Sequence, residues 1–420
     1  MFRSPLLAQW PLVALVASAA LLLIEGVAEP RRNPPRRLPL RVIQRATEVL
    51  VLVFSALFIL TSRFPSWIVQ TAINPDEAQM TANALLVRAG QWTWSGVDGG
   101  TSGPANSIVL AWPYLFGMDA TLSMTHVTST MFLIAILTLT YTALRPALPS
   151  RSALLIVLPA ILFVGGTVHT DFVHYSSEQT PLLLLMPGVV GGMRPLASWR
   201  RTLRFMPYLA AFCAGAIPFA KLQAAPLALV AGGGLLVRAL DLPETTARRR
   251  ATVLLLACAT APSVLFLGPL AVRGELHHFT TSHIRWATVY VTTPLSPTAV
   301  IRMAQADPVF YGLALCMTTA AAAWLIVLAF ADRAWDRETI TQCVLCLGLL
   351  AAAILAVMTP GWDFPHYLYL LVPTGALTSG VLLAMGQRGA ARRMRRRVVP
   401  EVILFAATGY RLALSSWTTP

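Results

Sequence analysis

Of the 420 residues 56% are hydrophobic and only 12% charged, with a mean hydropathy of +0.65. A water-soluble globule carries about 25% charge, so this balance excludes one and leaves an all-α polytopic membrane protein. The net charge of +14 rests on 31 arginines and one lysine; the arginines lie in short clusters between apolar runs, with no single basic face, which argues against a nucleic-acid partner.

Runs long enough to cross about 30 Å of hydrocarbon fall near 8–28, 44–62, 120–144, 152–169, 178–193, 205–220, 222–240, 251–272, 309–331, 340–358 and 366–386. That predicts about eleven transmembrane helices. The first run has a short charged lead and a weak VAE cleavage signal, and is read as an uncleaved extra helix, so that 1–43 is an N-terminal helix plus an Arg-rich segment. Residues 44–386 form the transmembrane domain. Residues 387–420 are an Arg-rich tail whose end, EVILFAATGYRLALSSW, reads as a twelfth span, an interfacial helix or the remnant of a further domain.

Threading the chain through these runs puts 24 of the 31 arginines on one side, which by the positive-inside rule is the cytoplasm. The other side faces the periplasm or exterior of the inner (plasma) membrane and receives the loops 63–119, 170–177, 273–308 and 359–365. Within the first of these, SIVLAWPYLFGMD is apolar but too short to span, which suits an element lying at the outer interface. The five cysteines all fall in apolar runs, where a thiol behaves as a small hydrophobe. Cys343 and Cys346 form a CxxC with no second ligand pair, so neither disulfides nor a thiolate metal site is expected.

The chain is poor in acids, yet INPDEAQ places Asp76 and Glu77 side by side just after the second run. Helix capping accounts for part of this: Asn74 suits an N-cap, Pro75 the first helical position, and the two acids complement the helix dipole. Ala78, Ala82, Leu85 and Ala89 follow at helical spacing and predict an apolar stripe, with Gln79 and Asn83 on another side. Capping needs one acid and works at any helix. It leaves unexplained why the pair stands where a span opens into the longest outer loop.

A short cytoplasmic lead, one span and then a DE pair opening an amphipathic helix resembles the GT-C membrane glycosyltransferases, in particular the branch of protein O-mannosyltransferases and the aminoarabinose transferase of lipid A. GGTSGPANSIVLAWPYLFG is similar to that family's proline-containing segment leading into a short apolar helix. HTDFVHYSSEQTPLLLL resembles its second outer loop and PHYLYLLVPTGAL its late aromatic span. The resemblance implies an inverting-type transfer of a sugar from a polyprenyl-phosphate donor to a glycan, lipid or protein acceptor, among membrane lipids. It gives the catalytic role to Asp76 with Glu77 as support, and leaves the second-loop acid open between Asp171 and Glu178. The first span, before residue 31, is extra relative to the family's usual arrangement, and the large C-terminal outer domain of some members is missing.

The chemistry points the same way. A hydroxyl attacking an anomeric carbon needs a carboxylate to accept its proton, and the departing phosphate needs cations. Lys221, the only lysine, interrupts the apolar PFAKLQAAPLALV; it is a candidate phosphate ligand, or a hairpin-tip lysine reaching for the headgroups. Arg273, Arg285 and His366 are further phosphate candidates, while His277 and His278 read as a solvated face. Asp171, His174 and Glu178 are spaced three and four apart and are the candidate ligands for a divalent metal. No Gly-rich nucleotide loop occurs in a cytoplasmic segment. A transporter or lipid flippase, or a non-catalytic assembly subunit of the same fold, are the competing readings; the first would show paired halves with midplane charges, and no internal repeat is apparent.

Overall fold

The computed structural model describes residues 38–91, 94–97, 100, 102–195, 205–291, 296–307, 310, 311, 314 and 336–390. The predicted span 8–28 and nearly all of 309–331 lie outside these, as do Cys316 and the tail beyond residue 390.

The described residues are helical. In chain order they form α1 (Leu38–Trp67), α2 (Pro75–Arg88), α3 (Pro104–Leu110), α4 (Leu122–Leu144), α5 (Ser150–Gly166), the single turn α6 (Thr170–Val173), α7 (Gln179–Met193), α8 (Met206–Ala220), α9 (Ala225–Leu240) and α10 (Thr245–Arg273). Then come α11 (Leu276–Phe279), α12 (Trp286–Tyr290), α13 (Pro297–Gln305), α14 (Arg337–Met358) and α15 (Leu371–Ala390). Among the described residues six helical stretches are long and apolar enough to cross a membrane: Arg45–Trp67, Leu122–Leu144, Leu222–Leu240, Thr245–Arg273, Arg337–Met358 and Pro365–Gly386. Ser150–Gly166, Gln179–Met193 and Met206–Ala220 are shorter apolar helices. The expected runs inside the described region thus appear as helices, six long enough to cross and three, at 152–169, 178–193 and 205–220, shorter than the expected span, and the architecture is polytopic.

α7 sits at the centre, packed against α4, α8 and α9, while α15 packs on α4, α5 and α14. The main core joins α1, α4, α5, α7, α9, α14 and α15, and a smaller cluster joins α8, α9 and α10. Small residues let these helices approach, as expected where lipid removes most of the hydrophobic drive for association. At Gly215 of α8 a Cβ would collide with the Ala259 carbonyl of α10. α10 lies at the edge, with Val253, Val264, Leu265 and Val272 exposed.

The two ends of the bundle differ. At one, Arg238 of α9 makes a bidentate pair with Glu338 of α14 and donates to the Gly192 carbonyl of α7 at 2.9 Å, tying three helix ends together. The other end is rich in loops. There the buried Arg63 of α1 donates to the carbonyls of Val164 at 3.1 and 2.6 Å and of Phe172 at 2.6 Å. It thereby closes the carboxyl end of α5 and anchors α6.

Candidate functional site

The capping expected at INPDEAQ is realised in full. Asn74 Oδ1 accepts from the Asp76 amide at 2.9 Å, and the Glu77 carboxylate reaches back to the amides of Ile73 and Asn74. The consequence is a division between the two acids. Asp76 is exposed, while Glu77 is fully buried and also takes the Tyr175 amide at 3.1 Å and His126 Nε2 at 3.1 Å. The other nitrogen of that imidazole, Nδ1, donates to the Ser66 carbonyl at 2.7 Å. Burial raises the Glu77 pKa, but His126 and the Ile73 amide outweigh it and hold the carboxyl below its ordinary value. Glu77 therefore joins α2 to α4 and to the second loop.

The expected apolar stripe on α2 is corrected. Ala82, Leu85 and Ala89 point outwards, and the buried face is Glu77, Met80, Thr81, Asn83 and Ala84. Polar partners on α4 decide this: besides the His126 contact, Thr81 Oγ1 meets Thr125 Oγ1 at 2.8 Å. Ala82, Leu85 and Ala89 have no comparable claim on the interior.

Lys221 does not reach for headgroups. It is 3% exposed, and its ammonium is ion-paired to Glu178 Oε1, donates to Ser177 Oγ at 2.6 Å and lies 4.9 Å from the centroid of the Tyr367 ring. Glu178 is completely buried, and its other oxygen accepts from Ser176. Burial alone would push Glu178 up; Lys221, His366 and Ser176 together bring it below the usual carboxylate range.

His366 faces both second-loop acids, Asp171 and Glu178. Its Nδ1 is 3.4 Å from Asp171 Oδ2 and its Nε2 3.9 Å from Glu178 Oε2. Burial raises Asp171, yet His366, joined by His174 and His169, outweighs it and leaves its pKa lowered. His174 packs edge-on to His366 with ring centroids 5.5 Å apart. Its Nδ1 donates to the Thr170 carbonyl at 2.9 Å, while Nε2 is buried without a hydrogen-bond partner. Burial and the neighbouring His366 hold its pKa below 6.5, so it is a neutral acceptor.

As metal ligands, Asp171, His174 and Glu178 do not converge: among the described residues no group of three or more His, Cys, Asp or Glu is arranged to hold a metal ion. Their helical spacing is broken because α6 ends at Val173 and α7 begins at Gln179. Arg273 and Arg285 are exposed and make no ion pair among the described residues, and neither joins the Lys221 cluster. His277 and His278 stack on each other, with His277 exposed.

Several participants carried no weight in the sequence. Tyr367 stands beneath the Lys221 ammonium and bonds Tyr290 Oη at 2.9 Å. Burial pushes the Tyr290 hydroxyl up, and the charges of Asp76 and Glu178 add to that. His126 had a signal, since an imidazole inside an otherwise apolar span is rarely without a role. Ser176 and Ser177 had only their adjacency to Glu178.

No protein-family model matches the chain, and no curated protein or solved structure shows significant similarity to it.

Proposed function

We propose that the protein is an integral-membrane glycosyltransferase with a GT-C-like fold that moves a sugar from a polyprenyl-phosphate-linked donor to an acceptor at the outer face of the membrane. The observation that carries the reading is a buried ammonium, Lys221, paired to Glu178 and set over the Tyr367 ring at the loop-rich end of the bundle, in a chain whose outer-loop helix α2 carries an exposed carboxylate, Asp76.

In this reading Asp76 takes the proton of the acceptor hydroxyl as its oxygen attacks the anomeric carbon, and the bond to the polyprenyl phosphate breaks with its electron pair leaving on the phosphate. Glu178 and Ser177 hold the ammonium in place, and a donor phosphate competes with the Tyr367 ring for its remaining side. His366, braced by Asp171, stands beside them as a second donor to the leaving group. Glu77 keeps the helix that presents Asp76 in register.

Asp76→Asn tests the assignment. The cap uses the Asp76 amide and not its side chain, so the helix loses at most about 1 kcal/mol of dipole interaction. Release of polyprenyl phosphate from a panel of polyprenyl-phosphate sugars in proteoliposomes is expected to fall by roughly 100-fold or more at an undiminished yield of folded protein. Near-normal turnover per folded molecule would remove Asp76 from the mechanism.

A further inference from the structure

Tyr367, on the 3-10 turn Pro365–Leu370, is the ring that the Lys221 ammonium faces, and it is 2% exposed. Two neighbours from its own segment steady the ring: His366 and Phe364 meet it edge-on, with centroids 4.8 and 5.9 Å away. Neither holds its hydroxyl. A buried hydroxyl needs a partner, and among the described residues that partner is Tyr290 Oη at 2.9 Å, from the third outer loop. The Tyr290 ring also stacks on Trp362 at 5.8 Å with 28° between planes. One side chain of the third loop thus grips two aromatic residues of the last.

The segment that carries Tyr290 is otherwise loosely held. It starts after Gly274, whose left-handed conformation (φ +72°) ends α10, and among residues 276–291 His283 alone is buried. His283 fastens the middle of the segment to the Pro218 carbonyl and lies 5.5 Å from the Trp94 ring, and Trp286 stands beside Gly100. Sparse burial of this kind marks the parts of a protein that open first. Tyr290, at the end of this segment, is where such opening would reach Tyr367.

We infer that Tyr290 is a positioning residue for Lys221: by holding the Tyr367 hydroxyl it keeps that ring over the ammonium, and its release opens the ammonium to an anionic group. The donor count supports this. An ammonium has three protons; Glu178 and Ser177 take two, and the Tyr367 face is left for the third. An aromatic face is a weaker partner for that proton than a phosphate oxygen, so an anion wins the exchange once the ring can move. While Tyr290 holds the hydroxyl and His366 and Phe364 hold the edges, the ring stays. The third loop therefore sets the access to a charge that the second loop and α8 supply. That the anion is a donor phosphate rests on the transferase reading; the role of Tyr290 rests on the contacts alone.

Lys221 is the chain's only lysine, so its accessibility can be read without interference from another lysine. The full chain in nanodiscs is methylated with formaldehyde and cyanoborohydride, and the rate at Lys221 is followed on its peptide by mass spectrometry. Tyr290→Phe keeps the stack on Trp362 and removes the bond; it is expected to raise the rate about 5-fold, the factor one hydrogen bond is worth. Tyr367→Phe removes the same bond from the other side, so the double variant is expected to match either single one. Val289→Ala, at an exposed position on the same helix, is expected to leave the rate unchanged. Farnesyl phosphate is expected to protect Lys221, with an affinity about 5-fold higher in Tyr290→Phe because the open population has grown by that factor, and farnesol to give no protection. An unchanged rate in Tyr290→Phe, single effects that multiply in the double variant, or an equal gain in Val289→Ala would overturn the positioning role. The expected gain in rate without protection by farnesyl phosphate would leave that role standing and remove the phosphate-donor reading.

Discussion

Lys221 and Glu178 form an ion pair whose side chains are 4% and 0% exposed, so removing either partner strands the other. In Lys221→Met the Glu178 carboxylate keeps Ser176, Ser177 and His366 but loses its main countercharge. It then either remains charged in a dry site or takes a proton. Protonating a carboxyl of ordinary pKa 4.5 at pH 7 costs roughly 3 kcal/mol, which sets the scale of the loss and agrees with about 3–5 kcal/mol for breaking buried pairs. Glu178→Gln strands the ammonium, and discharging a lysine at pH 7 costs roughly 5 kcal/mol, so its loss is expected to be at least as large. The double variant Lys221→Met/Glu178→Gln leaves no buried charge and is expected to lose less than either single one.

The measurement is a double-mutant cycle by SDS unfolding in mixed micelles. pH adds a second signature. With Lys221 gone, burial raises the folded-state pKa of Glu178, so stability is present at low pH and lost as pH rises through that value; in the native protein the depressed pKa gives the opposite slope. The gap between Lys221→Met and the native protein is therefore expected to narrow from pH 7 to pH 5. Additive single losses, or a gap independent of pH, would refute the pairing as the source of the cost.

Glu77→Gln is expected to lose about 2–4 kcal/mol, because a buried carboxylate that accepts from three amides and an imidazole is replaced by a group with half the acceptors; thermal unfolding would then rank it well below Asp76→Asn. A cysteine at Ser95, an exposed position, is expected to react with an impermeant maleimide from the outer face of intact spheroplasts, and reaction only after permeabilisation would reverse the proposed orientation. The thermal midpoint is expected to decline with acidification in two stages. His174, depressed in the fold, contributes stability present above its unfolded value of 6.5 and lost as pH falls through its folded value; Asp171, Glu77 and Glu178 do the same from below their unfolded 3.8, 4.5 and 4.5. His174→Gln is expected to remove the upper stage alone.

The apolar runs were legible as helices because the length and composition of a span are local properties. So was the capping box, whose partners lie within four residues. The buried face of α2 was not, since it is chosen by His126, Thr125 and Tyr175, far along the chain and polar, and an apolar stripe loses its meaning where the surroundings are also apolar. Spacing alone suggested a metal set at Asp171, His174 and Glu178, but a break between α6 and α7 separates them. The second-loop acid could not be chosen from local sequence because its arbiter, His366, lies 195 residues beyond Asp171.

The burial of Lys221 illustrates how three loops combine to make one site. α8 ends at Ala220, and a helix end leaves its last four carbonyls without intrahelical partners. The Ile217 carbonyl is taken by the Lys221 amide at 3.0 Å, and that of Pro218 by His283 Nε2, from the π-helical turn Thr280–Arg285, at 3.0 Å. The Ala220 carbonyl accepts from the Gly103 amide at 2.8 Å and from Asn106 Nδ2 at 2.7 Å. Asn106 is in turn held by Tyr175, whose amide is bound to Glu77. A side chain at position 103 would strike the Phe219 carbonyl, so only glycine lets the first loop come this close. The negative end of the α8 dipole favours a cation just beyond it, and Lys221, extended at φ −158° and bridged to Ser102, is the residue placed there. The ammonium is thus stabilised by a helix end whose own carbonyls are satisfied by the first and third loops, and by a carboxylate from the second. That arrangement lets a charge stand inside an apolar bundle, and it couples the position of Lys221 to the same Glu77 network that presents Asp76.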